Sequence, residues 1–295
     1  MADTENKCEK YNKIDLWDTK NILDTILESQ LNAVAAVKAI LEEMEQAVSK
    51  AVPLLEAGGR LIFAGAGTSG RLAAQECAEL YPTFSWPKNK ALFLLAGGTK
   101  AFTEAVENAE DNITQGEQDA SKLKPTAKDI FICTAASGRT PYTLGVLRVG
   151  NIAGALTIGI SSVAHSPLLN EAKIKLHANT GAEVIAGSTR MKAGTAQKTI
   201  LNMLTTTIMI RLNRTYDSFM IDLVATNEKL NKRAIKIVSG LCEVTAETAE
   251  EALKICKGQV KLACAYLKFK DLKTATEVLK EYNGNLRKCL EIKDK

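Results

Sequence analysis

Residues 60–71 read RLIFAGAGTSGR and contain the beginning of an α/β unit. Leu61–Phe63 is a short apolar run next to glycine-rich sequence, which is typical of a strand buried on both faces of a parallel sheet. Gly65 and Gly67 follow, and glycine lets the backbone turn sharply and approach a ligand closely. A helix is predicted from Gly70, so this segment predicts a strand, a tight turn and a helix in succession.

The turn also carries groups that suit a phosphate. Thr68 and Ser69 place two hydroxyls on it. The first amides of the following helix have no partner inside the helix, and they lie at the positive end of its dipole. The sequence therefore predicts a phosphate-binding turn. The alternative is a purely structural turn, because glycine-rich strand-to-helix turns also occur in α/β proteins that bind nothing there.

Two nucleotide-binding motifs fit this turn less well. GAGTSG matches the G-x-G-x-x-G fingerprint, but a dinucleotide site also needs an acidic residue at the end of the next strand. The next predicted strand, Ala91–Ala96, runs into Gly97 and Gly98 instead. A P-loop needs lysine and then serine or threonine after its second glycine, where this chain has Arg71-Leu72. The pattern favours a site for a single phosphate.

Composition narrows the class of protein. The chain has 295 residues, 46% hydrophobic and 24% charged, which suits one large α/β domain or a smaller one with a helical appendage. The net charge of +4 comes without a dense basic run, so we expect no nucleic acid partner, whereas a mildly basic protein suits a small anionic substrate. No apolar run is long enough to span a bilayer and residues 1–15 are polar, so we expect a cytoplasmic protein that makes no membrane contact.

Cysteine and histidine usage points away from disulfide and metal chemistry. The seven cysteines are an odd number without any C-x-x-C pair, which is typical of reduced thiols. The two histidines, His165 and His177, are not accompanied by acidic residues at ligand spacing. We therefore expect no metal.

A second turn repeats the first. Residues 135–141 read AASGRTP and follow a strand predicted at Asp129–Thr134. Ser137 and Thr140 supply hydroxyls, and Pro141 suits the first position of a helix. Because open α/β sheets bind ligands at the carboxyl ends of their strands, we expect both turns to converge on one crevice.

Alternating strands and helices predict a parallel five-stranded sheet sandwiched by helices. The remaining strands are predicted at Ala155–Ile160 and Lys173–His177. Helices are predicted at Gly70–Leu80, ended by Tyr81-Pro82-Thr83, and at Ala101–Asp111. Two more are predicted before Pro53, interrupted at Ser29-Gln30.

Gly187–Lys192, reading GSTRMK, opens a long helix that reaches about Leu212. Hydroxyls at its start, with Arg190 and Lys192, form a third candidate anion contact. Beyond about Asn213 the sequence predicts only short amphipathic helices, at Leu230–Leu241, Ala246–Cys256, Val260–Leu267 and Thr274–Tyr282. The predicted organisation is an N-terminal helical segment at 1–52, the sheet domain at 53–222 and a helical subdomain at 223–295.

Four motifs resemble a known family. GAGTSGR, AASGRTP, GAEV and GSTRMKAGTAQK are similar to the sugar isomerase (SIS) domain, a flavodoxin-like fold, in the version found in N-acetylmuramic acid 6-phosphate etherases. The resemblance extends from about Ile14 to the end of the chain and includes ENAED at 107–111 and DLVATNEKL at 222–230. The chain departs from the family pattern at residues 75–82, where only the glutamate and the second proline are kept.

The resemblance implies cleavage of the D-lactyl ether of N-acetylmuramic acid 6-phosphate, without a cofactor, by a homodimer whose N-terminal helices are in contact. It places the family's two glutamates at Glu79, as proton donor, and at Glu110, as proton abstractor or its helper. Glu76 and Glu107 lie three residues earlier and are the alternatives. The expected substrate-binding residues are Gly67, Thr68, Ser69, Ser137, Gly138, Arg139, Thr140, Glu183, Ser188 and Lys192.

Two other functions remain open from the sequence. The first is a non-catalytic sugar-phosphate sensor similar to the glucokinase regulatory protein, which would bind ligand without turnover. The second is a phosphosugar isomerase on the same fold, which needs one base and no acid for a leaving group.

Overall fold

A computed structural model describes residues 5–223 and 228–292 of the chain. Contacts divide these residues into two compact units. The first comprises residues up to 78 together with 88–206, and the second comprises 79–87 together with residues from 207 onward. The predicted boundaries at 52 and 222 stay predictions.

The first unit is built on a five-stranded parallel sheet, as the sequence predicts. Its strands are β1 (Leu61–Gly65), β2 (Ala91–Leu95), β3 (Ile130–Thr134), β4 (Leu156–Ser161) and β5 (Ile174–His177). The spatial order is β2-β1-β3-β4-β5. This order reverses direction at β1 and β3, where doubly wound sheets bind their ligands.

The helices of the first unit flank this sheet. They are α1 (Thr19–Lys38), α2 (Leu41–Glu56), α3 (Gly67–Phe84), α4 (Ile113–Lys122), α5 (Pro141–Ile152), α6 (Pro167–Glu171) and α7 (Lys192–Arg211), of which α3 and α7 continue into the second unit. Every residue of β1, β3 and β4 is buried, because helices cover both faces of a parallel sheet.

Besides the ends of α3 and α7, the described residues of the second unit form a hairpin of two-residue strands and five helices. The hairpin strands are β6 (Thr215–Tyr216) and β7 (Phe219–Met220), and the helices are α8 (Glu228–Cys242), α9 (Ala246–Ile255), α10 (Val260–Phe269), α11 (Leu272–Glu281) and α12 (Leu286–Leu290). Its core includes Val238, Ala249, Val260 and Cys264, all fully buried. The sequence predicted α8–α11, but β6, β7 and α12 were too short to give a periodic signal.

Four local predictions about helices are wrong, the first of them a whole helix. The helix predicted at Ala101–Asp111 is absent, and a helix lies at 113–122 instead. Gly97 and Gly98 have φ of +83° and +67°, and the Arg71 guanidinium binds the carbonyl oxygens of Ala101 and Glu104. These contacts hold the segment in a turn, and the Asn112 side chain accepts from the Gln115 amide to start α4.

The helix breaks also differ from the prediction. α1 runs through Ser29-Gln30 and ends at Lys38, because Ser29 lies on the same buried face as Ala33 and Val37. α2 continues past Pro53 to Glu56. α3 includes Pro82 and ends at Phe84, where the amides of Ser85 and Trp86 bond back to the carbonyls of Tyr81 and Leu80. In the described ranges, no helix combines the length and apolar character needed to cross a bilayer.

Asp129 lies immediately before β3 and forms hydrogen bonds with residues outside that strand. Its buried carboxylate accepts from Arg60 Nε at 2.9 Å, Arg60 Nη2 at 2.7 Å and the Thr126 amide at 2.8 Å. Burial raises the pKa of Asp129, but these hydrogen bonds outweigh it and the net pKa is lowered.

We expect Asp129→Asn to lower the free energy of unfolding at neutral pH by about 3 kcal/mol, because Arg60 then loses its buried partner. A carboxyl with a lowered folded-state pKa stabilises fully above its ordinary pKa, and this contribution is lost as pH falls through the folded-state value. The difference between variant and parent, measured by urea unfolding, should therefore shrink below about pH 4. Asp24→Asn, which removes an exposed pair with Lys20, is the matched control and should cost less than about 1 kcal/mol. Equal losses would contradict this assignment.

Candidate active site

The two predicted turns begin side by side. β1 and β3 are adjacent parallel strands whose last residues, Gly65 and Thr134, are paired in register. Neighbouring strands lie about 4.8 Å apart, so both turns leave the sheet from the same edge at nearly the same point. The prediction that Thr68/Ser69 and Ser137/Thr140 follow neighbouring strands is confirmed.

The first turn depends on close backbone packing. A Cβ atom on Gly65 would lie 2.8 Å from Cα of Gly70, and a Cβ on Gly70 would lie 2.6 Å from the carbonyl carbon of Gly65. Only glycines allow the strand and the helix to approach this closely. Gly67 is the first residue of α3, with a φ of +52° and open space where a side chain would be. Thr68 and Ser69 follow on the first helical turn and are half-buried.

The second turn is fixed by the residue after β4 and by the start of α6. The Ser162 amide donates to the Ala136 carbonyl, and the Leu168 amide donates to the Gly138 carbonyl, both at 3.0 Å. Ser137 Oγ accepts from the Arg139 amide at 3.2 Å, which leaves the Ser137 O–H free to donate. The hydroxyl-bearing turn is therefore preformed, while the Arg139 side chain is exposed.

Gly138 is required by both conformation and space. Its φ is +63°, and an added Cβ would lie 2.2 Å from Ser166 Oγ and 2.8 Å from Ser161 Oγ. Gly181 has nearly the same φ, +66°, but its Cβ would meet nothing within 4 Å.

We expect Gly138→Ala to destabilise the protein by about 1–3 kcal/mol more than Gly181→Ala, because both variants carry the backbone strain and only the first adds a steric clash. Urea unfolding of the two variants and the parent measures the difference. If both alanines cost the same, the packing around the second turn is not what the structure describes.

The segment between β5 and α7, residues 178–191, is the third segment of the candidate site. It is organised by a buried carboxylate. Glu183 is 1% exposed and accepts from the amides of Lys192 and Ala193, each at 3.0 Å. The acceptor at the start of α7 is therefore Glu183 rather than a hydroxyl of residues 187–191. Lys192 is also buried, and its Nζ donates to the Ala182 carbonyl. Burial lowers the pKa of Lys192, although Glu183 acts in the opposite direction.

This segment lies beside the first turn. A Cβ on Gly194, in the first turn of α7, would lie 3.6 Å from Thr68 Cγ2. The structure thus brings the starts of α3 and α7 together. Ser188 precedes α7 by four residues and is half-buried, with its amide bonded to the Ile185 carbonyl, and Arg190 is exposed.

Residues 5–14 form an N-terminal arm that borders this third segment. Lys7, Cys8, Tyr11 and Ile14 line a small cavity with residues 183–186. A Cβ on Gly187 would lie 2.8 Å from Glu5 Oε2. Sequence analysis did not connect the arm with the site, because no periodic pattern reports a contact between segments so far apart in the chain.

Glu110 lies next to the second turn. It is exposed, in the segment that precedes α4, and its carbonyl accepts from the Tyr142 amide of α5 at 2.9 Å. Glu107, the alternative glutamate, is also exposed but no backbone bond to α5 is recorded for it among the described residues.

Glu79 and Glu76 occupy different environments on α3. Glu79 is exposed and is the thirteenth residue of the helix, about 18 Å along its axis from Gly67 at 1.5 Å per residue. Glu76 is 3% exposed. Its Oε2 accepts from Lys198 Nζ at 3.1 Å and from Asn202 Nδ2, and its Oε1 accepts from Thr205 Oγ1. This fully engaged carboxylate connects α3 to α7.

The partners of Glu76 were missed by sequence analysis. Lys198, Asn202 and Thr205 stand at i, i+4 and i+7, so they share one face of α7. This polar stripe on a long helix was the available signal. Burial, with the neighbouring Glu76, raises the pKa of the Cys77 thiol to about 12, which disfavours the reactive thiolate.

Within the described ranges, no group of three or more histidine, cysteine, aspartate or glutamate side chains is placed to hold a metal ion. The groups offered to a ligand are instead hydroxyls, free helix amides and lysine. Such donors can hold a phosphate and orient a polar substrate.

The parallel β2-β1-β3-β4-β5 sheet has the flavodoxin-like strand order of doubly wound folds, with hydroxyl-bearing turns after β1 and β3, and this is the architecture of SIS domains. Its fold is similar to that of a phosphoheptose isomerase from Francisella tularensis, with a TM-score of 0.53 and 19% identity over 66% of this chain and 100% of that chain. The family model described as the glucokinase regulatory protein N-terminal SIS domain matches residues 39–151.

Longer similarity identifies the family. The chain is 42% identical to the N-acetylmuramic acid 6-phosphate etherase of Deinococcus radiodurans over 97% of this chain and 94% of the relative. It is 41% identical to the enzyme of the same name from Pseudothermotoga lettingae over 98% of this chain and 97% of the relative. The chain belongs to the N-acetylmuramic acid 6-phosphate etherase family.

Proposed function

We propose that this protein cleaves the D-lactyl ether of N-acetylmuramic acid 6-phosphate and releases N-acetylglucosamine 6-phosphate and D-lactate. The observation that carries this function is the near full-length similarity, at about 40% identity, to relatives with that name. The chemistry is that of a carbon–oxygen lyase acting on a phosphorylated amino sugar.

The reaction follows from the acidity of the open-chain sugar. The C1 aldehyde acidifies the C2 proton, which a base removes, and lactate then leaves from C3 while an acid protonates the ether oxygen. Water adds across the resulting double bond to give the product. Two carboxyl groups can carry out these steps. The environment of one keeps it ionised so that it acts as the base, and the environment of the other keeps it protonated so that it acts as the acid.

The phosphate is assigned to the two turns at the ends of β1 and β3. Gly67, Thr68 and Ser69 offer hydroxyls and helix amides from one side. Ser137 and Thr140 offer hydroxyls and Arg139 a guanidinium from the other side, where Gly138 shapes the turn and its amide is bonded to the Ala135 carbonyl. Glu183, Ser188 and Lys192 complete the proposed binding residues, with Glu183 acting through its hold on the start of α7.

Glu110 is assigned as the base and Glu79 as the acid. The backbone bond between Glu110 and Tyr142 supports the first assignment, because it keeps Glu110 beside the second turn. Glu79 is carried over from the family motif at residues 75–82.

A second copy of the chain is part of this proposal. About 18 Å of helix separates Glu79 from the turn at which α3 begins, which exceeds the length of a hexose phosphate. Glu79 of one copy would therefore serve the sugar held by the other. α1 also presents an exposed apolar stripe of Leu23, Leu27, Leu31 and Val34, spaced at one face of a helix and distinct from its buried face.

We expect Leu27→Glu to convert a dimer into a monomer and to lower lactate release at least about tenfold, because a buried glutamate would oppose helix contact. Light scattering coupled to size exclusion measures the mass. Glu28→Gln, at the neighbouring exposed position, is the control and should leave the dimer unchanged. A parent protein that is monomeric and active would exclude the shared site.

The cellular location we propose is the cytoplasm. All seven cysteines are free, and unpaired thiols on this scale are typical of a reducing compartment.

The direct test of function is incubation of the purified protein with N-acetylmuramic acid 6-phosphate and an enzymatic assay for D-lactate. Release of D-lactate together with N-acetylglucosamine 6-phosphate is expected. Tight binding of the substrate without turnover would support the sensor hypothesis instead. Interconversion of aldose and ketose phosphates without lactate release would support an isomerase.

A further inference from the structure

The second unit contains a cavity of about 440 Å³ that the reaction does not use. It lies between the segment that follows α7, the start of α10 and one face of α11. The polar side chains that line it include Arg214, Asp222, Lys257, Gln259, Lys261 and Thr276. Its volume falls in the range of small-molecule sites.

The charges in this cavity are unbalanced. Asp222 Oδ2 pairs with Lys261 Nζ at 2.8 Å and with Arg214 Nη1 at 3.1 Å. Lys257 adds a third cation, and Asp222 is the one acidic side chain among the described lining residues. Three cations therefore face one carboxylate, which leaves an excess of positive charge.

Two of these charged side chains are largely buried. The side chain of Lys261 is 13% exposed and that of Asp222 is 14% exposed. Burial lowers the pKa of Lys261, although Asp222 opposes the shift. A partly buried cation without full compensation is costly, and a bound anion would stabilise it.

The start of α10 adds to the attraction for an anion. This ten-residue helix begins at Val260, next to the cavity, and its N-cap residue Gln259 makes no side-chain cap hydrogen bond. The Ile221 carbonyl accepts from the Lys261 amide at 3.2 Å, so the positive end of the helix dipole lacks a capping side chain but has one of its first amides already bonded.

The paired charged side chains that line the cavity are held in position by contacts within the protein. The Arg214 guanidinium lies over the Trp86 ring, 5.4 Å from its centroid, and Ser85 Oγ donates to the Asp222 carbonyl. Lys261 Nζ donates to the Asn213 carbonyl at 2.8 Å, which fixes its position. Ordered donors lose little conformational entropy when a ligand binds.

We propose that this cavity binds a small molecule bearing a phosphate group, at a site separate from the two turns of the first unit. A phosphate matches the excess of two positive charges and accepts several hydrogen bonds at once. The volume of about 440 Å³ suits a small phosphorylated metabolite.

Titration of the ¹⁵N-labelled full chain with inorganic phosphate, at constant ionic strength maintained with chloride, tests the proposal. The amide signals of residues 259–262 are expected to shift and saturate. Lys261→Gln should weaken this binding at least about tenfold, because it removes a charge-assisted hydrogen bond. Lys257→Gln, at an exposed position, should weaken it severalfold and keeps the test valid if Lys261→Gln does not fold.

Ser137→Ala separates this site from the proposed substrate site. It should leave the shifts of residues 259–262 unchanged while it weakens any phosphate binding at the second turn of the first unit. Absence of shifts at 259–262 in the parent, or titration of both lysine variants with parental affinity, would overturn the proposal whatever the outcome of the lactate assay.

Discussion

Glu79→Gln is expected to release D-lactate from N-acetylmuramic acid 6-phosphate about 10²–10⁴-fold more slowly than the parent protein, because glutamine cannot protonate the departing ether oxygen. The loss should fall on kcat, with little change in KM, since the proposed phosphate contacts are untouched. Thermal unfolding should be unchanged, because Glu79 is exposed.

A test in D₂O separates the acid from the base. An acid variant still permits removal of the C2 proton, so substrate recovered from Glu79→Gln should contain deuterium at C2 although little lactate is released. A variant that retains parental lactate release would contradict the assignment of Glu79. Glu76→Gln offers a contrast, because it should lower the unfolding temperature by weakening the contacts with Lys198 and Asn202.

Mixing two impaired variants tests whether the site is shared between two chains. Glu79→Gln supplies intact turns, and Ser137→Ala supplies an intact Glu79. In a mixed dimer with a shared site, one of the two sites contains both intact parts and lactate release returns. If each chain forms its own site, every site in the mixture remains defective and no activity is regained.

The sheet could be predicted because its signals are local. β1, β3 and β4 are short apolar runs, and burial on both faces leaves no polar alternation to confuse their assignment. The predicted ends of β2, β3, β4 and β5 lie within one residue of the observed ones, and β1 extends two residues beyond the predicted run at Leu61–Phe63. The order of the strands is not local, but two similar hydroxyl-bearing turns indicated that β1 and β3 share an edge.

The segment between β2 and β3 could not be predicted because long-range contacts decide it. Residues 101–111 have a helical composition, yet Arg71 takes the carbonyl oxygens of Ala101 and Glu104. A side chain thirty residues earlier thereby competes with local helix formation. The same segment carries Glu110, so the error concerned the part of the chain that positions the proposed base.

The site could be predicted where the residues of a sequence motif themselves determine the backbone conformation. The sequence indicated a tight turn at Gly65 and Gly67, and the structure has close backbone packing at Gly65 and a positive φ at Gly67, whereas the close packing of Gly70 and Gly138 is seen only in the structure. The roles of Glu183 and Glu76 were not predictable, because each carboxylate finds its partners on α7 through tertiary contact. Neither residue differs in sequence from an exposed glutamate.

Glu110→Gln is expected to abolish both lactate release and deuterium incorporation at C2, with a loss of about 10²–10⁴-fold in kcat, because removal of the C2 proton precedes every later step. Glu107→Gln is the matched control: it removes a carboxylate from the same exposed segment three residues earlier and should retain both activities. Loss of activity in the Glu107 variant with a fully active Glu110 variant would reassign the base. Deuterium incorporation by Glu110→Gln without lactate release would instead make Glu110 a helper in the departure of lactate, and the base would then have to be sought elsewhere among the residues near the second turn.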